Sequence, residues 1–410
     1  MSRREFLSAT GGLTAGVVVF GGVDEVISRG SSSTSSTGNA LPFFGEHQGG
    51  IITTRQAQTQ FATFDVLGAD RVRLAGLLRT WTDVSADLAA GQPAGPVFAD
   101  EGGAPADSGE QVGLGPSRLT INVGFGPSLF GIGGPDRFGL GRLSPVPLVD
   151  LPPFPGDRLT PATSGGDLAV HICADDAQVA FHALRQLTRA AEGVAAVRWC
   201  QAGFNAAPAD GTTSRNLLGF KDGTSNPTSE DDLATFVWVG EEGPDWMTGG
   251  TYAVVRRIRV ALADWDHTSL RQQQQVIGRY KDSGAPLGRS GEFDALDLSS
   301  RNLDGTPVIP ADAHVRMASA EQNWGARMLR RSYEYDNGFV TGDNEPVADA
   351  GLLFCCYQRY PVVAFIPIYE RLAVSDALTA FTTHTASAIF AMPGGVAHRG
   401  DWIGRQLLEA

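Results

Sequence analysis

The chain has 410 residues, is 42% hydrophobic and 19% charged, and carries a formal net charge of −13. This is enough apolar material for a large core spread over two domains rather than one. The acidic balance argues against a general nucleic-acid or anionic-membrane binder, and 51 Gly and 23 Pro without a period argue against collagen-like and repeat folds.

The chain opens with Ser2-Arg3-Arg4-Glu5-Phe6-Leu7, followed by the short apolar stretch Leu13–Phe20. That stretch falls short of the roughly 20 apolar residues a membrane-spanning helix needs. It reads instead as a twin-arginine export signal, which moves folded proteins and suits one that acquires a cofactor before export. A Ser/Gly/Thr-rich linker follows, so residues 1–40 are expected to be signal and linker, and the folded protein to work outside the cytoplasm.

Periodicity then suggests two similar halves. In the first, 57–67 reads as a strand and 70–90 as a helix with Leu74, Leu77, Leu78 and Trp81 on one face. Strands follow at 118–123 and 167–173, then a helix over 175–192 with Phe181, Leu184 and Leu187 at core spacing, then a strand at 194–203. The order is β-α-β-β-α-β, a ferredoxin-like arrangement. The second half repeats it less clearly, with strands at 251–261, 330–335, 352–358 and 387–392 and helices at 268–278 and 368–382. The expected fold is therefore α+β, two ferredoxin-like units (41–235 and 236–410) with antiparallel sheets and a cleft between sheets and helices. Segment 224–250 reads as the crossing between them. Long loops at 91–117, 125–166 and 281–313 suggest wrapping of a large ligand. Of the four cysteines, Cys173, Cys355 and Cys356 lie in apolar runs and read as buried free thiols, and nothing calls for a disulfide to Cys200.

Three segments carry candidate chemistry. Gly219-Phe220-Lys221-Asp222-Gly223 puts an acid in a tight loop that Asn226-Pro227 ends. Alone, an Asp-Gly pair is most simply a turn. His314 follows a loop, and Arg330 and Arg331 precede an aromatic strand; each alone is commonly structural. Metalloprotease, serine-hydrolase and Walker motifs are missing from the sequence.

Taken together, the chain from Phe44 onward resembles the dye-decolorising peroxidase family, in the branch that includes periplasmic deferrochelatases. The likeness rests on Phe44–Ile51, Leu119–Gly126, the Gly-Phe-Lys-Asp-Gly loop at 219–223, His314-Val315-Arg316, Leu329–Tyr333 and Gly351–Phe354. It implies one haem b per chain, held between the two units, with His314 as the axial iron ligand. It implies Asp222 and Arg330 as the residues handling hydrogen peroxide, with Gly223 and Arg330 beside the cofactor. The family's acid on the axial histidine falls on Asp376, although Glu370 lies on the same expected helix. Arg316 is a candidate partner for a haem carboxylate.

In this scheme a carboxylate on the far ring nitrogen makes His314 a stronger donor, Asp222 moves a proton between the peroxide oxygens, and Arg330 steadies the leaving oxygen. An aspartate in this place, unlike a histidine, stays ionised at about pH 4 to 5, so an acidic optimum is expected. Trp324, Tyr333 and Tyr335 are candidate carriers of electrons from donors too bulky to reach the haem. The resemblance implies oxidation of dyes, phenols or other aromatics; the alternative is removal of iron from haem within an iron-uptake system. A haem-free binding module fits the full residue set poorly. Oligomeric state stays open.

Overall fold

The computed structural model describes residues 39–98, 102–206, 208, 212–341 and 346–410; the expected export signal lies outside them. The first half begins with β1 (Gln58–Val66) and α1 (Arg71–Ala89). Asp70 caps α1 by accepting from the Val72 and Arg73 amides at 2.8 and 3.1 Å, which satisfies donors that a helix start otherwise leaves bare. β2 (Thr120–Phe125), β3 (Leu168–Ala174), α2 (Ala177–Ala190) and β4 (Ala195–Phe204) complete it, with Asp176 capping α2 in the same way. Its strands pair antiparallel in the order β2-β3-β1-β4. One expectation fails on α2. Phe181 is 50% exposed, because the buried stripe runs through Val179, Ala183 and Leu187, four residues apart, and Phe181 lies off it.

Next along the chain is α3 (Glu230–Phe236), inside the segment expected only to cross between units. The second half continues with β5 (Thr251–Val260), α4 (Leu262–Asp266), α5 (Leu270–Ile277) and α6 (His314–Met317). Then come β6 (Leu329–Arg330), β7 (Tyr333–Thr341), β8 (Pro346–Gln358), α7 (Phe365–Ser375), β9 (Thr382–Met392) and α8 (Arg405–Leu408). The strand expected at 330–335 is split at Arg331-Ser332. The helix expected to reach residue 382 stops at Ser375, because Asp376 turns to φ −84, ψ 123 and its side chain caps a new 3-10 turn.

Strand order here is β7-β8-β5-β9, with β6 also on β8. The halves join through Phe125↔Ala391 and Phe204↔Glu334. Since β5 pairs with both β8 and β9, the strands close on themselves, which leaves few unpaired edges. Phe61, Ala169, Val255, Leu353, Cys355, Tyr357, Ala388 and Phe390 form one apolar cluster between the two halves, whereas α1 and α2 pack on a second, larger cluster. All four cysteines are free, and only Cys200 is exposed. His47 stacks on Trp238 at 3.8 Å and contacts the Gly249 carbonyl at 2.6 Å, a structural anchor. No described helix is long and apolar enough to cross a membrane.

Candidate active site

A cavity of about 540 Å³ is lined by Asp222, Gly223, His314, Arg330 and Asp376 together. Among the described residues of the three long loops, 281–313 contributes to its wall, through Leu296, whereas those of 91–117 and 125–166 do not line it.

Asp222 is held by a tight loop. The Asn216 side chain accepts from the Leu218 and Phe220 amides at 3.1 and 3.2 Å, and an isolated bridge pairs Arg215 with Lys221. Phe220 is buried against Trp265, which fixes the loop tip to the α4 region. The Asp222 amide donates to the Ser214 carbonyl at 3.2 Å, and Gly223 turns the chain at φ +105, a backbone region closed to most side chains.

Asn226, three residues on, is the hinge of the site. Its Nδ2 donates to the Arg330 carbonyl at 2.8 Å, while its Oδ1 accepts from the Arg330 amide at 3.1 Å and from Nε at 3.4 Å. The side chain thus imitates a paired strand and aims the guanidinium. Arg330 Nη1 stands 3.9 Å from Asp222 Oδ1, beyond hydrogen-bond reach, with the two side chains 29% and 30% exposed. The gap leaves room for a small polar molecule to touch both.

His314 is the first residue of α6. Its Nδ1 and Asp376 Oδ2 are 2.6 Å apart, and Asp376 is 3% exposed. The second Asp376 oxygen accepts from the Leu378 amide at 2.8 Å, so the carboxylate is pinned by the 3-10 turn that ended α7. Burial disfavours a charged imidazole, but the Asp376 charge and hydrogen bond outweigh it and raise the His314 pKa. No described residue hydrogen-bonds Nε2, and the ring lines the cavity. At the end of α5, Gly278 sits at φ +89, and a side chain there would collide with Val315 and crowd Ala313. Its absence lets the His314 turn pack closely.

Arg316 does not reach the cavity. Its Nε and Nη2 donate to the carbonyls of Leu298, Ile309 and Pro310 at 2.8 to 3.2 Å, so it staples the loop before His314 instead of gripping a carboxylate. The cations that line the wall beside Arg330 include Arg279 and Arg327. Arg327 is paired with Asp232 at 2.7 Å. Among the described residues, Arg279 donates through Nη1 to the Gly284 and Glu292 carbonyls at 2.7 and 2.9 Å. Burial and the nearby Arg330 charge lower the Arg279 pKa.

Sequence reasoning missed Asn226 as an anchor, both of these arginines as wall residues, and Glu334. Strand alternation could have found Glu334, since Ser332 and Glu334 must face away from Tyr333 and Tyr335. Burial pushes the Glu334 carboxyl up to about 7.

The apolar wall, formed by Ile258, Leu352, Phe354, Phe365, Ile368 and Leu372 among others, suits a flat hydrophobic group. The free imidazole nitrogen suits a metal at its centre, and the arginines suit carboxylates at its rim. The donor set therefore fits a haem. Among the described residues no cluster of three or more His, Cys, Asp or Glu side chains could hold a bare metal ion.

Comparison with known proteins agrees with this arrangement. The family model described as Dyp-type peroxidase, N-terminal, matches residues 48–205, and its C-terminal counterpart matches 213–397. The dye-decolorizing peroxidase of Thermobifida fusca is 41% identical over 345 residues, covering 82% of this chain and 76% of that protein. The deferrochelatase of Escherichia coli K12 is 37% identical over 421 residues, covering 100% of this chain and 97% of the relative. Among solved structures, a DyP-type peroxidase from Streptomyces coelicolor superposes with a TM-score of 0.84 at 44% identity, covering 92% and 99% of the two chains. Ferric DtpA from Streptomyces lividans gives 0.84 at 43% identity, covering 93% and 100%.

Proposed function

The chain belongs to the Dyp-type peroxidase family, whose members are haem-binding enzymes of the oxidoreductase type, and on that premise we propose that it binds one haem b and uses hydrogen peroxide to oxidise dyes, phenols or other aromatic donors. The observation that carries this reading is a single cavity lined by an aspartate-anchored imidazole and by an acid–guanidinium pair set 3.9 Å apart.

When bound, haem supplies the iron that takes peroxide and accepts electrons from the donor. His314 Nε2 would hold the iron, and Asp376, 2.6 Å from Nδ1, would orient the ring and strengthen it as a donor. Asp222 would accept one proton of the peroxide and return it to the departing oxygen. Arg330, whose Nη1 stands 3.9 Å from Asp222 Oδ1, would place a permanent charge beside that departing oxygen. Arg279 and Arg330, both on the cavity wall, would pair with the haem carboxylates. The two halves are ferredoxin-like units spanning 41–235 and 236–410, supported by their matching strand orders. Residues 1–40 direct export through the twin-arginine route to a periplasmic or extracellular location.

Stopped-flow absorbance of the haem-loaded protein tests the reading. Wild type changes spectrum rapidly with peroxide, Arg330→Leu keeps its haem but reacts at least about 100-fold more slowly, and Asp222→Asn is slowed as well. Equal rates in all three would refute it. Loss of iron from intact porphyrin, with no donor oxidised, would favour the deferrochelatase activity named for the Escherichia coli relative.

A further inference from the structure

The cavity wall holds a further carboxyl group to which the proposed chemistry gives no part. Glu334 stands on β7, four residues past Arg330. Side chains alternate across a strand, so Ser332 and Glu334 turn away from Tyr333 and Tyr335, and both line the cavity with Asp222 and Arg330. The Glu334 backbone is paired on both sides, with Phe204 of β4 and with Leu352 of β8. The residue is therefore fixed at a strand pairing that joins the two halves, and it is 5% exposed.

Both pairing partners are apolar, so the charges that bear on Glu334 come from other segments. Arg55, which precedes β1, favours the carboxylate, but its guanidinium is engaged elsewhere. Its Nη1 donates to the Ser332 carbonyl at 2.7 Å and its Nη2 to the Ser214 hydroxyl. Asp222 acts in the opposite sense to Arg55, and Arg330 opens on the same cavity. Among the described residues no cation hydrogen-bonds the Glu334 carboxyl. Burial is the largest influence and pushes the group up to about 7, so it keeps a proton that an ordinary glutamate has lost.

Reducing peroxide to water consumes two protons besides the two it carries: H2O2 + 2 e− + 2 H+ gives 2 H2O. The donor supplies the electrons. Asp222 moves one of the peroxide's own protons from oxygen to oxygen and ends as it began. A donor that gives its electrons from outside the cavity also releases its proton outside, so the two further protons need a source within. Other wall groups are poor sources. Arg279, Arg327 and Arg330 hold their protons too tightly. Lys221 is tied to Glu292 at 2.5 Å. Burial and the Arg256 charge hold His384 well below the ordinary imidazole range, which leaves it no proton to give.

We propose that Glu334 is the proton source for the electron-accepting half of the reaction, passing its carboxyl proton to water in the cavity as each donor electron arrives. The inference rests on the haem-peroxidase reading above. For each electron, the O–H bond of Glu334 breaks, and an O–H bond forms, through that water, on the oxygen that leaves as water. Solvent returns a proton to the carboxylate before the next electron. One carboxyl thus delivers both protons in turn.

Ferrocyanide, which gives electrons and carries no proton, isolates this step. In sequential stopped-flow mixing, haem-loaded protein meets hydrogen peroxide first and ferrocyanide second. In Glu334→Gln the ferrocyanide step slows about 100-fold, far more than the peroxide step does. In wild type that step slows as pH rises through about 7, whereas in Glu334→Gln it is flat there. Infrared difference spectra of the loaded protein between acid and alkaline buffer read the proton without turnover. Wild type shows a carboxylic-acid carbonyl band that disappears over the same window, and Glu334→Gln lacks it. If Glu334→Gln fails to take up haem, Glu334→Asp replaces it and must shift both the band and the pH profile. An unslowed ferrocyanide step in Glu334→Gln, a flat wild-type profile, or a band indifferent to either substitution overturns the proton source alone. Wild type that binds haem but shows no peroxide-dependent absorbance change overturns the peroxidase reading, and the proton source with it.

Discussion

Asp376 holds His314 with one oxygen and the end of its own helix with the other: Oδ2 lies 2.6 Å from the imidazole Nδ1, and Oδ1 accepts the Leu378 amide at 2.8 Å. The Ala377 amide also donates to the Asp312 carbonyl at 2.9 Å, two residues before the histidine. The residue that breaks α7 is thus the residue that orients the imidazole, and the two segments are tied twice.

Asp376→Asn keeps the shape but removes the charge. The amide still caps the 3-10 turn through its oxygen, while the imidazole loses its anionic partner. Haem affinity or peroxide turnover should fall about 10- to 100-fold, with little change in melting temperature. Haem titration by absorbance checks the first and calorimetry the second. Unchanged affinity and turnover would mean that the carboxylate is only a cap.

Asn226→Ala should misdirect Arg330 without unloading the cavity. Three hydrogen bonds to Arg330 disappear, which costs about 1–3 kcal/mol of stability where backbone groups are left unpaired. Haem content stays near that of wild type. Peroxide reactivity falls about 10- to 100-fold, because a misplacement of about 1 Å can cost 100-fold in rate. Arg330→Lys in the same assay should fare no better, since an ammonium cannot reproduce the guanidinium fork.

Glu334 gives the haem-free protein a pH dependence. Its folded pKa of about 7 lies above the ordinary 4.5 because burial disfavours the carboxylate. Between those values the folded chain binds a proton that the unfolded chain has released, so stability falls as pH rises through that window and levels off above it. At about 1.36 kcal/mol per pH unit over that window, the loss is roughly 3 kcal/mol by pH 8. Chemical denaturation of Glu334→Gln should therefore match wild type near pH 4 and exceed it at pH 8. Parallel curves across the range would place the carboxylate in a wetter setting than its burial implies.

The sequence made the regular elements legible because their apolar spacing is strong: α1 with Leu74, Leu77, Leu78 and Trp81, and the all-buried β2 and β3, stand where periodicity puts them. It also brought Asp222, His314, Arg330 and Asp376 to one cavity, through a motif-level resemblance rather than through spacing. Elsewhere it failed for local reasons. Arg316 sits two residues from His314, yet its guanidinium turns back onto three loop carbonyls, a choice that depends on how 298–310 folds. Asn226 looked like the end of a turn because its partner lies 104 residues away. The helix break at Asp376 was invisible to periodicity, since the apolar pattern runs on through Leu378 and Phe381.

All the proposed chemistry depends on His314 holding the iron. The most direct measurement is the absorbance spectrum and haem stoichiometry of His314→Ala, prepared with haem in excess and then given free imidazole. Loss or marked loosening of haem is expected, with imidazole restoring the wild-type spectrum by filling the space beside Asp376. Full haem content with an unaltered spectrum before imidazole is added would contradict it.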